Sequence, residues 1–382
     1  MTVMTHSRLN NKLQPSVALM LSIVLVACSE THTSEPQQSS PAALEEHYTM
    51  EDFPRVEKID AHVHANNNDL SFLEQAKLDN FTLLSINVDY PDFPNIAEQR
   101  KIALQLKKLD EEHFKFASTF SMNNWQHEDW QQKVIEDIDL AIKQGAKAVK
   151  TWKNIGMTYK DKTGQLVMID HPSFDSIFGH MKDKNLPLIG HQGEPQNCWL
   201  PLEEMTVNND RQYFAAHPEF HMYLHPEFPS YEAQMEARDR MLAKNSQLAF
   251  MGAHMASLEW SIDKLAQFLV SHPNAVVDIA ARSGQIQYQS KHDYQKVRDF
   301  FIKYQDRILY ATDLTHGPGR DAAEFKQEVQ DKWRQDWKYL STLGVSQVPE
   351  VDGDVKGLAL PKSVINKIYR LNAQRFFNIK QS

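Results

Sequence analysis

The sequence predicts an α/β protein whose strands and helices alternate around an eight-stranded (β/α)8 barrel. Short apolar runs, with the length and composition of buried strands, recur along the chain. They cover Val56–Val63, Thr82–Val88, Phe114–Phe120, Ala146–Trp152, Pro187–His191, Leu248–His254, Ala275–Ala281 and Arg307–Thr312. Strands separated by helices pair in parallel, and eight of them close more naturally into a barrel than they extend an open sheet.

The segments between these strands have helical periodicity. Apolar side chains recur at intervals of three and four residues, which places them on one face of a helix. Examples are Val134, Ile138 and Ala141 before the fourth strand, Ile262, Leu265 and Leu269 after the sixth, and Tyr294, Val297 and Phe301 after the seventh. A last helix, Ser363–Asn378, ends the predicted fold.

The composition is that of a folded globular protein and excludes several classes of function. Apolar residues make up 41% of the 382 residues and charged residues 24%. The formal net charge of −9, without a basic cluster, argues against nucleic-acid binding. Two cysteines cannot form a thiolate zinc site or a disulfide framework.

The N-terminus has the pattern of an export signal. Arg8 and Lys12 precede an apolar run, Val17 to Ala27, that is too short to span a bilayer. Its end, Leu-Val-Ala-Cys, resembles the lipobox of bacterial lipoproteins, which implies cleavage after residue 27 and lipidation of Cys28. Ser29 follows in place of an aspartate, which favours the periplasmic face of the outer membrane. The alternative is an ordinary signal peptide with an incidental cysteine.

Three segments are therefore expected in the chain. Residues 1–27 form the signal peptide, and residues 28–54, rich in Ser, Thr, Glu and Pro, form a disordered tether. Residues 55–382 form the barrel domain. An insertion at about 194–229, after the fifth strand, is interpreted as an aromatic lid. His217, His221 and His225 are spaced there by four residues, but Pro218 and Pro226 argue against a continuous helix that would stack them.

Histidines and one aspartate fall where the predicted strands end. His62 and His64 lie two residues apart at the end of the first strand, so both can face one metal ion. His191 closes the fifth strand, His254 the sixth and Asp313 the eighth. Active sites of (β/α)8 barrels lie at this end of the strands. The placement therefore predicts a metal site at the carboxyl end of the barrel.

This order of ligands on strands one, five, six and eight resembles the amidohydrolase superfamily of metal-dependent hydrolases. Within it the chain is similar to the amidohydrolase-related (amidohydrolase 2) family, which includes aminocarboxymuconate-semialdehyde decarboxylase. Further support comes from Ile-Asp-Ala-His-Val-His at 59–64, Gly-Ala-Lys-Ala-Val-Lys at 145–150 and the asparagine-containing helix at 368–377. The resemblance covers about residues 55–379.

The resemblance implies roles for these residues. His62, His64, His191 and Asp313 become metal ligands, and His254 becomes a catalytic histidine or a ligand of a second metal. Three imidazoles and a carboxylate suit Zn²⁺, expected at one ion per chain, with another divalent metal left open. A water activated by the metal would attack a carbonyl-type carbon, with Asp313 taking its proton. His254 would polarise the carbonyl oxygen or protonate the leaving group.

Three further side chains are candidates for substrate binding. On the fourth strand, Lys150 or Trp152 can point to the same side of the sheet as Ala148, because alternate residues of a strand share a side. Lys150 remains open between a carboxylated bridge of two metals, a clamp for a substrate carboxylate and an ordinary cation at a strand end. Arg282, after the seventh strand, is a second candidate clamp or a partner in a loop salt bridge.

The sequence thus predicts a metal-dependent hydrolase that cleaves a C–N or C–O bond of a small substrate, which could carry a carboxylate. A non-oxidative decarboxylase on the same metal site is the alternative. A second alternative is a lipoprotein that has the same barrel fold but binds a ligand without catalysing a reaction. No nucleic-acid partner is expected, the only membrane contact is the lipid anchor, and the sequence leaves homo-oligomer formation open.

Overall fold

The computed structural model describes residues 46–380. The predicted signal peptide, the lipidation of Cys28 and most of the predicted tether lie outside the described residues and stay predictions. Among residues 46–380, no helix is both long enough and apolar enough to cross a membrane.

The predicted alternation of strands and helices is confirmed. The main sheet has nine strands, all pairing in parallel, in the order β8-β7-β6-β5-β4-β3-β2-β1-β9. The strands are β1 Lys58–Ala65, β2 Phe81–Ile86, β3 Phe114–Thr119, β4 Val149–Thr151, β5 Leu188–Gly190, β6 Phe250–Gly252, β7 Ala275–Asp278, β8 Ile308–Leu309 and β9 Thr315–His316. A separate antiparallel hairpin joins β10 Val345–Val348 to β11 Val351–Lys356.

Helices follow the strands and cover the outside of the barrel. Those of five or more residues are α1 Ser71–Leu78, α2 Ile96–Leu109, α3 Trp130–Lys143, α4 Asp175–Asp183, α5 Asn208–Ala216, α6 Tyr231–Lys244, α7 Ile262–Ser271, α8 Ser283–His292, α9 Tyr294–Lys303, α10 Ala322–Ser341, α11 Lys362–Asn366 and α12 Asn372–Phe376. A π-helical turn, Lys367–Leu371, connects the last two helices, so the predicted C-terminal helix is continuous.

Backbone hydrogen bonds join the first strand to the chain that follows the eighth. The amide of Ala61 donates to the carbonyl of Tyr310 at 3.0 Å, and the amide of Asp313 donates to the carbonyl of His62 at 2.8 Å. The (β/α)8 barrel predicted from the sequence closes in this way. Its interior is filled by small and aliphatic side chains from the strands, including Ile59, Ala61, Leu84, Ala117, Ala148, Ile189, Met251, Val276 and Leu309.

Residues 46–54, which the sequence assigned to the end of the tether, pack against the C-terminal part of the barrel. Phe53 is fully buried, and the indole of Trp337 donates to the carbonyl of Thr49 at 2.8 Å. The hydroxyl of Tyr48 donates to Asn366 at 2.9 Å. Aromatic anchors therefore order this segment despite the polar sequence that precedes it.

The insertion after β5 folds into short helical turns around a small core of its own. That core consists of Cys198, Met205, Phe214 and Met222, all buried. Helix α5 ends at Ala216, and separate 3-10 turns cover Pro218–Phe220 and Met222–Leu224. His217, His221 and His225 therefore do not lie on one face of a single helix. This agrees with the prediction made from Pro218 and Pro226.

The chain makes a left-handed turn directly after β6. Four consecutive residues without glycine, His254 to Ser257, have φ between 55° and 58°. Such a conformation costs roughly 1–2 kcal/mol per residue, so surrounding contacts have to hold it. Arg238 donates to the carbonyl of Ala256, and Tyr231 donates to the carbonyl of Ser257. These contacts fix the direction in which His254 leaves the strand.

Glycine at position 252 is required by this turn. A Cβ atom added there would lie 2.9 Å from the Cα of Ala256 and closer still to its Cβ. We therefore expect Gly252→Ala to lower the free energy of unfolding by about 1–3 kcal/mol, the cost of overpacking, measured by thermal denaturation. Gly179→Ala is the matched control, because the space around Gly179 in α4 is open. Equal unfolding temperatures of the two variants would contradict the account of the turn.

Candidate metal centre

An irregularity in β1 turns the two histidines of the His-x-His pair into the barrel. Ile59 and Ala61 belong to the barrel interior, whereas Val63 packs in the layer between strands and helices. The register between β1 and β2 shifts between Asp60 and Val63. A β-bulge of this kind changes which side chains of a strand point inward. Before the bulge Ile59 and Ala61 point into the barrel, and after it His62 and His64 do so.

The tautomer of His62 follows from its buried partner. Its Nδ1 lies 2.9 Å from Oδ2 of Asp278, so Nδ1 carries the proton and donates to the carboxylate. The other ring nitrogen, Nε2, is then a bare lone pair. It lies 3.3 Å from Oδ1 of Asp313 and 3.3 Å from Nζ of Lys150.

His64 has the same arrangement. Its Nδ1 lies 2.7 Å from the carbonyl oxygen of Ile86 and therefore donates to it. Its Nε2, also without a proton, lies 3.1 Å from Oδ1 of Asp313. Two lone pairs thus face one carboxylate oxygen, and atoms of this kind repel one another unless a cation lies among them. The ammonium of Lys150 contacts only one of the three atoms, Nε2 of His62, so it does not relieve the contact between His64 and Asp313. These three side chains form a group that could hold a metal ion.

His191 and His254 lie beside these residues. The rings of His191 and His254 are 4.3 Å apart, and the rings of His254 and His62 are 5.0 Å apart. Nε2 of His191 is buried and has no hydrogen-bond partner among the described residues. An orphaned imidazole nitrogen is costly unless a ligand completes it, which fits a metal ligand. Nδ1 of His254 donates to the carbonyl of Ala280 at 2.9 Å.

The distances also fit a first-row divalent metal. One possible ligand atom from each of His62, His64 and Asp313 lies within 4.8 Å of the others. Bonds of about 2.0–2.2 Å in a tetrahedral site separate neighbouring ligand atoms by roughly 3.4 Å. The two separations from Asp313 Oδ1, 3.1 and 3.3 Å, are close to that value. His191 lies further from this group but lines the same cavity.

The charge states match those that metal ligands need. Burial, followed by the charge of Lys150, lowers the pKa of His62, and burial lowers the pKa of His254 to about 3. Burial acts to raise the pKa of Asp313, but His254 and His62 hold it well below its usual range. His62 and His254 are thus neutral and the carboxylate of Asp313 is ionised near neutral pH.

The candidate substrate residues differ in their relation to the site. Lys150 is buried and directed at His62, and burial lowers its pKa to about 8. Trp152 lines the cavity above the histidines together with Lys153, whose ammonium pairs with Glu194. Arg282 is buried and donates to the carbonyl of Ala281, but it is not among the residues that line this cavity.

The cavity over the site measures about 250 Å³. Its aromatic wall comes from Tyr90 and Phe93, after β2, and from Trp152, whose ring lies 4.7 Å from that of Tyr90. None of the described residues that line it belongs to the insertion 194–229. Tyr90 and Phe93 were missed in the sequence because nothing in a loop sequence shows which way it folds over a barrel.

Asp278 was also missed. Asp278 is the last residue of β7, in a position comparable to that of Asp313 after β8. Its place in Ala-Val-Val-Asp, at the end of an apolar run, is the signal that could have identified it. Burial acts to raise the pKa of Asp278, but the contacts with His62 keep it below the ordinary value. An ionised carboxylate is therefore part of the buried site.

A closed (β/α)8 barrel with histidines and an aspartate at its carboxyl end defines the class of metal-dependent barrel enzymes. Within that class the chain belongs to the amidohydrolase family, whose family model matches residues 27–379. The resemblance inferred from the sequence is thereby confirmed. A comparison with curated proteins finds no match.

Solved structures of similar fold include decarboxylases. The chain is similar to 2,6-dihydroxybenzoate decarboxylase from Rhizobium, with a TM-score of 0.50 and 13% identity over 85% of this chain and 99% of that one. The complex of 2,6-dihydroxybenzoate decarboxylase with 2,6-dihydroxybenzoate gives the same values. A dihydroxybenzoic acid decarboxylase from Polaromonas sp. JS666, solved with manganese and 2-nitroresorcinol, has a TM-score of 0.46 and 12% identity over 85% and 98% of the two chains. At this identity the similarity shows the fold alone.

We expect His62→Ala, His191→Ala and Asp313→Asn each to lower the metal content of the purified protein sharply. The two alanines remove a donor atom, and the asparagine replaces an anionic oxygen with a neutral amide oxygen. The metal content per chain is measured by inductively coupled plasma mass spectrometry, and circular dichroism checks that the barrel folds. His127→Ala is the control, since His127 is exposed and lies outside the cavity. Full metal retention by the His62 and His191 variants would refute the ligand set.

Proposed function

We propose that the protein is a metal-dependent hydrolase that cleaves a C–N or C–O bond of a small substrate, with Zn²⁺ as its metal. The proposal rests on one observation. Two lone pairs, one on Nε2 of His62 and one on Nε2 of His64, face the same oxygen of Asp313. With His191 they make a set of three imidazoles and one carboxylate, the donors that zinc prefers. One ion per chain is proposed.

A divalent metal held by these residues supplies Lewis acidity, which lowers the pKa of a water molecule and polarises a carbonyl oxygen. The protein itself supplies the proton acceptors. Asp313 is ionised, and 32% of its side chain is exposed. Its carboxylate can therefore take a proton from a water molecule in the cavity as that water attacks the substrate.

His254 is proposed as the group that carries a proton to the leaving atom. Because Nδ1 donates to Ala280, Nε2 holds the lone pair, and the ring lines the cavity. A neutral imidazole in this position accepts a proton and returns it to the leaving nitrogen or oxygen. The left-handed turn and the bond to Ala280 hold the ring in one orientation, which such a transfer needs.

One buried cation supports a substrate that carries a carboxylate. Lys150 is buried and lines the cavity, and its ammonium lies 3.3 Å from Nε2 of His62, whereas no carboxylate of the described residues lies within ion-pair distance of it. A buried cation without a counter-charge is costly, and a bound carboxylate would supply one. Arg282 is also buried but lies outside the lining of the cavity. The aromatic wall of the cavity suits a flat, unsaturated body beside that carboxylate.

Decarboxylation is the second candidate, and the same cation, Lys150, favours it. A carboxylate held at Lys150 would be placed beside the metal ligands, where loss of carbon dioxide would leave a carbanion for a proton donor to quench. That proton would come from solvent by way of Nε2 of His254, because this nitrogen carries no proton of its own. The two candidates differ in their products, since only one consumes water.

We expect removal of the metal by a chelator to abolish activity, and Zn²⁺ or Mn²⁺ to restore it. The assay uses a panel of small carboxylates that contain amide, ester or lactone bonds, with hydroxybenzoates alongside. Release of ammonia, an amine, an alcohol or a new acid supports hydrolysis, whereas release of carbon dioxide supports the second candidate. Activity that survives complete metal removal would refute both.

His254→Asn should keep the metal and lower kcat by a factor of about 10² or more, because it removes the proton carrier and not a ligand. Metal content and kcat are measured on the same preparation. His217→Asn, on the exposed part of the insertion, is the control. Loss of the metal together with activity would show that His254 is a ligand, as in a site with two metals.

A further inference from the structure

We propose that Asp278 is a positioning residue that acts on His62 and His254 at once. The inference rests on the proposed function, because it assigns how the metal site is prepared. Asp278 is fully buried at the end of β7 and does not line the cavity. Its effect therefore has to pass through the groups that it contacts.

The two oxygens of Asp278 have different partners. Oδ2 accepts the Nδ1 proton of His62 at 2.9 Å. Oδ1 accepts the backbone amide of His254 at 2.7 Å and that of Ala280 at 3.2 Å. Asp278 contacts His62 at Nδ1, whereas the ion is proposed at Nε2 on the opposite side of the ring, so the carboxylate orients a ligand of that ion and does not bind it.

The contact with Oδ2 sets the tautomer of His62. An acceptor at Nδ1 places the ring proton there, which leaves Nε2 free to face Asp313. If a donor stood in place of Oδ2, the proton would move to Nε2, and the nitrogen that faces the metal site would be blocked. A hydrogen-bond acceptor at this position keeps His62 ready to bind a metal, as the carbonyl of Ile86 does for His64.

The contacts with Oδ1 hold the ring of His254. The amides of His254 and Ala280 both donate to this oxygen, while the carbonyl of Ala280 accepts Nδ1 of His254. The three groups form a closed set that ties the first residue of the left-handed turn to the end of β7. One side chain thus couples a metal ligand to the proposed proton carrier.

Asp278→Asn separates the two contacts. The amide oxygen can still accept the backbone amides of His254 and Ala280, but the amide nitrogen then faces Nδ1 of His62 as a donor. We expect the affinity for Zn²⁺, measured by competition with a chromophoric chelator, to fall by about 10–100-fold. The unfolding temperature of the metal-free variant should stay near that of the parent, since the turn is still held.

Asp336→Asn is the matched control. Asp336 is equally buried and accepts hydrogen bonds from Ser283 and Tyr310, but none from the proposed ligands. It should leave the affinity for Zn²⁺ unchanged. Equal affinities of the Asp278→Asn variant and the parent would overturn the proposal.

A second measurement does not depend on metal binding. Nitrogen NMR of histidine-labelled, metal-free protein reports which ring nitrogen carries the proton, and His62→Gln assigns the signal. The parent should show the proton of His62 on Nδ1, and Asp278→Asn should show it on Nε2. A proton on Nε2 in the parent would overturn the proposal, even if the variant failed to fold. A parent that has the expected tautomer but binds no metal would refute the proposed function alone.

Discussion

The site depends on one electrostatic constraint, two imidazole lone pairs that converge on one ionised carboxylate oxygen. His62 and His64 cannot relieve it by turning their protons inward, because both Nδ1 atoms already donate to buried acceptors. A cation among Nε2 of His62, Nε2 of His64 and Oδ1 of Asp313 removes the repulsion and gains three bonds. The proposed metal site therefore depends on hydrogen bonds on the far side of each ring.

The fold is arranged to keep this constraint. The amide of Asp313 donates to the carbonyl of His62, so the first and last of the proposed ligands lie where the first strand meets the chain after the eighth. Asp60, beside the bulge, accepts the hydroxyl of Thr312 at 2.7 Å and the indole of Trp333 at 2.9 Å. This junction is thus anchored to a covering helix at the point where the proposed ligands lie. Strain in the turn after β6 is offset by contacts from Arg238, Tyr231 and Asp278.

Much of the fold and part of the site could be predicted from sequence. Strand positions follow from apolar runs, and the ends of parallel strands meet at one face, so His62, His191 and Asp313 could be grouped before any coordinates. Three features could not be predicted from the sequence: the bulge in β1, the left-handed turn after β6, and the aromatic wall that includes Tyr90. Each depends on contacts between distant segments, which leave no periodic pattern. Asp278 ended an apolar run like the others, but a buried partner of a ligand looks no different in sequence from an aspartate that caps a turn.

Anomalous X-ray diffraction from crystals of the purified wild-type protein, collected at the absorption edges of zinc and manganese, shows whether a metal ion lies between the two imidazoles and the carboxylate. We expect one peak per chain, among Nε2 of His62, Nε2 of His64 and Oδ1 of Asp313, with His191 turned toward it. No peak at that point after the crystals are soaked in zinc and manganese salts would contradict this expectation. A second peak beside Lys150 would contradict the single-metal site.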